Sequence, residues 1–140
     1  MDPVTAVGLA ASIVQLIDAT TTAIKYVNDV KDAPKDRATL AREGSSLLAL
    51  FTDLRYRVEE AESTSAWFAG VRLLGVEGGL LDQFKDAMEK LARKLKPETG
   101  IKKFSKALIW TLDKNETINI LSKIERLKTL VSLALQKDHL

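Results

Sequence analysis

Carboxylates are plentiful in this chain, but histidine and cysteine, the other common groups for acid–base and metal chemistry, are nearly missing. The single histidine, His139, is the next-to-last residue, and the sequence contains no cysteine. One histidine and no cysteine are too few side chains for catalysis or metal binding based on these residue types. The adjacent Glu59 and Glu60 would point to different parts of a helix surface, and Glu59 with Glu62 has an ordinary solvated spacing. We expect no catalytic pair, no metal site and no cofactor, and thus no enzyme.

Two further kinds of site are disfavoured by the residues around them. Gly75, Gly78 and Gly79 suggest a phosphate-binding loop, but no Gly-Lys-Ser or Gly-Lys-Thr follows them and no strand is predicted before them. The chain carries 21 basic and 19 acidic residues, a net charge of +2. A dedicated nucleic-acid binder is usually far more basic, so we expect no nucleic-acid partner.

The elements that position these residues are predicted to be helices. The 140 residues include 46% hydrophobic ones and only three prolines, and no long stretch alternates apolar with polar residues. This pattern favours one all-α domain over residues 1–140, built as an antiparallel helical bundle of four long helices with one or two short extra helices. The first helix is expected to begin with Asp2 as its N-cap and Pro3 as its first residue, and to end near Val30.

The later elements are predicted from the spacing of apolar and capping residues and from helix-breaking glycines and prolines. We expect Trp67 and Phe68 to anchor a glycine-rich segment over one end of the core, and the Asp113/Glu116 spacing to form a capping box that starts the last helix. A connection is predicted over Lys31–Lys35, and a second long helix follows it, with apolar positions from Leu40 to Ala61 and its end at Ser63–Ser65. A third long helix is predicted over Leu80–Lys96 and a short helix over Lys102–Leu112.

The first predicted helix is unusually apolar. Residues 3–17 are all uncharged, and Asp18 is the only charged residue between Asp2 and Lys25. The uncharged run falls short of the roughly twenty residues of a membrane span, and a helix buried in a bundle core has the same pattern. Core packing and membrane engagement after release both remain open, with Gly8, Ala10, Ala11 and Ser12 small enough for copies to pack together. The candidate membrane-engaging residues are Val4, Val7, Leu9, Ile13, Leu16 and Ile17.

Positive charge is concentrated in one stretch of the second half of the chain. Between Lys85 and Lys106 there are eight basic residues and three acidic ones. Such a stretch indicates either contact with an anionic surface or a solvated helix face with extended lysines. The candidate anionic-lipid contacts are Lys90, Arg93, Lys94, Lys102 and Lys103.

Three segments resemble one known family, in the family's order and across nearly the whole chain. They are the opening MDPVTAVGLAASIVQL of residues 1–16, the middle GGLLDQF of residues 78–84, and the closing KALIWTLDK of residues 106–114 with its continuation IERLKTL and LALQKD. Together they resemble the N-terminal, HeLo-like domain of fungal STAND (NOD-like) receptors. The middle segment departs from the family's Gly-Pro-Leu by lacking the proline.

The resemblance implies a death-inducing bundle, as in heterokaryon incompatibility or immunity, with its first helix as the membrane-targeting element. It also implies a nucleotide-binding or amyloid-motif module in the same or a partner chain, self-association on activation, and movement from the cytoplasm to plasma-membrane lipids. The cytoplasmic expectation fits the lack of cysteine and of a basic secretory start. The alternative is a non-lytic interaction or autoinhibitory module that uses exposed helix faces.

Overall fold

The regular elements of this protein are helical. The computed structural model describes residues 5–30, 35–62, 64–76, 78–95 and 112–136. Its elements are α1 (Ala6–Asp29), α2 (Lys35–Glu60), α3 (Ala66–Val71), a 3-10 turn (Arg72–Gly75), α4 (Leu80–Leu95) and α5 (Lys114–Gln136). The all-α prediction is confirmed. The predicted short helix over Lys102–Leu112 lies outside the described residues except for Leu112, which is buried in non-helical backbone.

The first helix begins later than the sequence indicated. Thr5 has an extended backbone, with φ −98° and ψ 161°, and its Oγ1 accepts a hydrogen bond from the Gly8 N–H at 2.9 Å. This side chain satisfies one of the N–H groups that the first turn leaves unpaired. The prediction of a helix starting at Asp2 and Pro3 was therefore wrong, although those two residues themselves lie outside the described part of the chain.

The last helix begins where the capping box predicted it. The Glu116 N–H donates to Asp113 Oδ1 at 2.7 Å, and the Asp113 N–H donates to Glu116 Oε1 at 3.4 Å. The two side chains thus exchange bonds with each other's backbone, as a capping box requires. The predicted start of α5 is confirmed.

The paired glycines before α4 form a turn. Gly78 has φ +75°, a conformation that L side chains rarely adopt, and its N–H donates to Asp82 Oδ2 at 2.9 Å. A Cβ on Gly79 would lie 2.8 Å from the Val76 carbonyl oxygen. Both glycines are explained by the chain reversal that leads into α4.

Contacts between the helices give their directions. Gly44 of α2 lies against Ile24 of α1, whereas Val58 of α2 lines the same groove as Ala10 of α1. Residues later in α2 thus lie beside residues earlier in α1, so the two helices are antiparallel. The same reasoning applies to α4 and α5, because Lys94 pairs with Glu116 while Ala87 and Lys123 line one groove.

The two antiparallel pairs pack side by side. The α1 helix lies against both α2 and α4, and α2 lies against α1 and α5. Glu43 of α2 pairs with Lys128 of α5, and further along both helices Arg57 bonds to the Leu135 carbonyl. These contacts show that α2 and α5 run in the same direction. The order around the bundle is therefore α1, α2, α5, α4. The antiparallel arrangement predicted for the bundle holds for α1 with α2 and for α4 with α5, whereas the neighbours α2 and α5 are parallel.

The core lies between the two pairs. Phe51 of α2 and Phe84 of α4 meet edge to face, with ring centroids 6.0 Å apart. The main core residues, all at most 3% exposed, are Leu9, Ile13, Leu16, Val27, Leu40, Leu47, Phe51, Leu54, Val58, Leu81, Phe84, Met88, Leu91, Leu95, Ile124, Leu127 and Val131.

The α3 helix closes one end of this core. Phe68 is buried, and the indole Nε1 of half-buried Trp67 donates to the Ala134 carbonyl at 2.8 Å. Arg57 Nη1 donates to the next carbonyl, that of Leu135, at 2.9 Å. These bonds satisfy carbonyls in the last turn of α5 that lack a partner within that helix. The prediction that Trp67 and Phe68 anchor this segment is confirmed.

Candidate functional site

The predicted membrane-engaging residues are divided between the core and the surface. Leu9, Ile13 and Leu16 are at most 1% exposed, and Ile17 is half-buried. Val7 has 81% of its surface exposed. Val4 lies outside the described residues. In the folded bundle, then, most of these apolar side chains hold α1 against its neighbours.

The outer surface of α1 is nevertheless nearly uncharged. Asp18, Lys25 and Asp29 are its only charged residues, and none of them lies in the first half of the helix. Of its most apolar 18-residue window, 33% is buried. By length and composition α1 is able to cross a membrane, although core helices of soluble proteins also meet that criterion.

Two of the threonine hydroxyls on α1 are satisfied within the helix. Thr20 Oγ1 donates to the Leu16 carbonyl at 2.8 Å, and Thr21 Oγ1 donates to the Ile17 carbonyl at 2.7 Å. A hydroxyl paired in this way needs no partner from water or from another helix. Gln15 makes a hydrogen bond to a neighbouring helix: its Oε1 accepts a hydrogen bond from Lys85 Nζ of α4 at 3.1 Å.

An apolar groove lies between the start of α1 and the end of α2. We call it the α1–α2 groove. It has a volume of about 330 Å³ and is lined by Ala6, Val7, Ala10, Ala11, Val14, Val58 and Glu59. The small residues on α1 were interpreted as allowing copies of the helix to pack together, and nothing in their spacing showed that Val58, more than forty residues later, completes a groove with them.

The predicted basic residues border a second groove. Lys90, Arg93 and Lys94 are exposed on α4, whereas Lys102 and Lys103 lie outside the described residues. The groove, about 430 Å³ in volume, separates α4 from α5 and is called here the α4–α5 groove. Its lining is Ala87, Lys90, Leu91, Arg93, Lys94, Leu112, Glu116, Asn119, Ile120 and Lys123.

The α5 side of this groove was missed from the sequence. Lys123 lies outside the basic stretch and is separated from Lys90 by 33 residues. The antiparallel pairing of α4 with α5 brings both lysines to the same groove. The helical period of Glu116, Ile120 and Lys123 predicts a shared face of α5, but it does not identify the neighbouring helix.

The two grooves lie on opposite sides of the bundle. The order α1, α2, α5, α4 puts the α1–α2 pair on one side and the α4–α5 pair on the other. Exposed Val7 and Ala11 border the first groove, and exposed Lys90 and Arg93 border the second. The resting bundle therefore cannot present both grooves to one flat surface.

Among the described residues, the groups whose pKa values are shifted belong to ion pairs between or within helices. Lys128 Nζ bonds to Glu43 Oε2 at 2.5 Å, which lowers the pKa of Glu43 and raises the pKa of Lys128. Glu59, bonded to Arg55 at 2.9 Å, raises the pKa of Arg55. Each shift favours the charged form, whereas proton transfer near neutral pH needs the opposite shift. Within the described residues, no three His, Cys, Asp or Glu side chains are grouped to hold a metal ion.

Comparison with known proteins supplies no relative. No family model, no curated protein and no solved structure matches this chain. The function must accordingly be argued from the two grooves and from α1.

Proposed function

We propose that this domain is a signalling effector of the fungal NOD-like receptor type, which induces regulated cell death when copies cluster and α1 enters the plasma membrane. The observation that carries the proposal is the outer surface of α1, which is uncharged over the first half of the helix and carries only Asp18, Lys25 and Asp29 over the second half. Its 24 residues extend about 36 Å at 1.5 Å per residue, and a bilayer's hydrocarbon core is about 30 Å thick. An effector of this kind is not an enzyme and needs no cofactor.

The burial of α1 indicates that release must be coupled to lipid. Exposing Leu9, Ile13, Leu16 and Val27 to water would cost roughly 1.5–3 kcal/mol for each side chain, or about 6–12 kcal/mol together. A whole domain of this size is stable by only about 5–15 kcal/mol. Release into water would thus amount to unfolding. In hydrocarbon the same side chains are again removed from water, and clustering lets the released helices share their few polar groups.

Charge placed on the outer surface of α1 tests the proposal without damaging the core. Val7 and Ala11 are both exposed, so a Val7→Lys/Ala11→Lys double variant should fold normally. Each lysine would cost up to roughly 2.5–3.5 kcal/mol at the centre of a membrane span, and less near its ends. We expect dye release from anionic vesicles by a clustered form of the domain to fall at least tenfold.

A matched control is available on α5. Ile118 and Leu133 are 50% and 47% exposed, so Ile118→Lys/Leu133→Lys makes the same change in charge on a helix that is not proposed to insert. This control should release dye like the wild type. Insertion by α1 would be excluded if the clustered wild-type domain released no dye, or if both double variants lowered release equally.

The alternative is a non-lytic interaction module. It is favoured by the complete burial of Leu9, Ile13 and Leu16, because the resting surface then offers grooves to a partner rather than a free helix. Vesicle flotation separates the two functions. A clustered domain that stays with the soluble fraction, and that releases no dye, would support the interaction module.

A further inference from the structure

The α4–α5 groove combines a buried aliphatic floor with exposed lysines. A helix face that is only solvated has no use for this combination. Leu91, Leu112 and Ile120 give it an apolar floor and are each at most 8% exposed. Lys90 and Lys123 stand exposed on its opposite walls. A surface that only attracted anions would need the lysines but not a cavity above aliphatic side chains.

We propose that the α4–α5 groove binds one molecule of a single-chain anionic amphiphile. The hydrocarbon chain lies on the floor formed by Leu91 and Ile120, and the anionic head lies among Lys90, Arg93 and Lys123. This inference deepens the proposed membrane function and rests on it for its biological role, since such a ligand is a lipid. It replaces a diffuse attraction to anionic lipid with a stoichiometric site.

The charges lining the groove favour an anionic head. Lys90, Arg93, Lys94 and Lys123 contribute four positive charges, and Glu116 contributes one negative charge, which leaves a net charge of +3. Glu116 is also held in an ion pair by Lys94. The described lining therefore holds more positive charge than its own carboxylate can balance, and an incoming anion would gain hydrogen bonds from flexible lysine side chains.

The dimensions favour a small amphiphile over a docked helix. The α4 wall extends from Ala87 to Lys94, about 10 Å at 1.5 Å per residue. A partner helix is itself about 10–12 Å wide, and its apolar face normally makes contacts over several turns. The groove volume of about 430 Å³ lies within the roughly 300–1,000 Å³ of small-molecule sites.

Calorimetric titration with dodecyl phosphate, kept below the concentration at which it forms micelles, tests the proposal without any vesicle. We expect saturable binding of one molecule per protein. Inorganic phosphate supplies the head without the chain, and dodecyl maltoside supplies the same chain with a neutral head. Each should bind at least tenfold more weakly than dodecyl phosphate.

Variants separate the two parts of the site. Ala87→Phe should fill the floor of the groove, and Asn119→Trp should fill it from an exposed position of the rim. Both keep every lysine, and both should weaken binding at least tenfold. Lys90→Gln/Lys123→Gln should weaken binding of dodecyl phosphate but not of dodecyl maltoside. Lys25→Gln/Lys35→Gln, at exposed positions of α1 and α2 away from the groove, is the matched control and should bind like the wild type.

Several results would overturn the proposal. One is that the wild-type chain shows no saturable binding of dodecyl phosphate. This result would count against the site even if its cause were closure of the groove or its occupation by another part of the chain. Another is equal affinity for inorganic phosphate, which would indicate a simple anion site. Unchanged binding by folded Asn119→Trp, or tighter binding of an acidic amphipathic peptide, would also reject a lipid site. Because dye release and the α1 variants play no part in this titration, its failure is distinguishable from failure of the proposed function.

Discussion

Gly44 of α2 packs directly against Ile24 of α1, and a larger side chain at Gly44 should loosen α1. Gly44 is buried, and a Cβ placed there would lie 3.0 Å from Cδ1 and 3.1 Å from Cγ1 of Ile24. Carbon atoms pack best at about 3.5–4.0 Å. Replacing Gly44 with valine puts a branched side chain where even one carbon is crowded, so the two helices must separate or Ile24 must move.

The size of the effect follows from two opposing contributions. Replacing glycine with valine inside a helix gains a few tenths of a kcal/mol in helix propensity. Overpacking a close interface costs about 1–3 kcal/mol. We expect Gly44→Val to lower the free energy of unfolding by about 1–2 kcal/mol, mostly by weakening the contact between α1 and α2.

Chemical denaturation of matched variants measures this free energy. Gly70→Val is the control, because Gly70 lies in α3 and a Cβ there would have nothing within 4 Å. It should change stability by less than about 0.5 kcal/mol. Ile24→Ala removes the crowding carbons, so the Gly44→Val/Ile24→Ala pair should show a favourable coupling of about 1 kcal/mol in a double-mutant cycle.

Particular results would refute the reasoning about this interface. A Gly44→Val protein as stable as the Gly70→Val protein would show that α1 and α2 are not held at close approach. Additive effects of Gly44→Val and Ile24→Ala would show that the two positions do not share a contact. If the coupling is found, the Gly44→Val protein should also release vesicle dye at a lower degree of clustering, since α1 is then less firmly held.

Two further predictions concern contacts elsewhere in the bundle. Because the hydrogen bond from Lys128 lowers the pKa of Glu43, this pair stabilises the fold above the usual carboxyl pKa of 4.5, and its contribution is lost as the pH falls through the lowered pKa. Denaturation midpoints from about pH 5 to about pH 3 should thus fall more steeply for the wild type than for Glu43→Gln, and parallel midpoints would contradict this. Asp113→Ala should remove the α5 capping box and cost about 1 kcal/mol, whereas the neighbouring exposed Lys114→Ala should cost little; equal losses would argue against the cap.

Local signals in the sequence were sufficient for most helix boundaries. The Asp113/Glu116 box and the glycines before Leu80 act through bonds within a few residues, so their spacing reports the structure directly. The start of α1 was mispredicted because Asp2 with Pro3 and Thr5 with Gly8 offer competing caps of similar chemistry. Propensity alone does not rank two such caps three residues apart.

The sites were less predictable because they depend on which helices are neighbours. Periodicity identified Leu9, Ile13 and Leu16 as one apolar face, and the same periodicity fits a core and a membrane span. The α4–α5 groove needs Lys90 and Lys123 on facing helices, and Val58 reaches the α1–α2 groove only through the antiparallel pairing of α1 with α2. Amphipathic patterns give each helix its buried face but not the order of the helices around the bundle.

The positions of the two grooves restrict how the domain could use both of its membrane-related features. If Lys90, Arg93 and Lys123 bind an anionic lipid in the bilayer, the α4–α5 side faces the membrane, and exposed Val7 on the α1–α2 side faces away from it. A single resting bundle then cannot insert α1 directly, because α4 lies between that helix and the lipid. The α1–α2 side is instead free to meet other copies, where uncharged Val7 and Ala11 offer apolar contact beside Glu59, which is paired with Arg55. Lipid binding and clustering would thus use opposite sides of the molecule and would not compete for one surface.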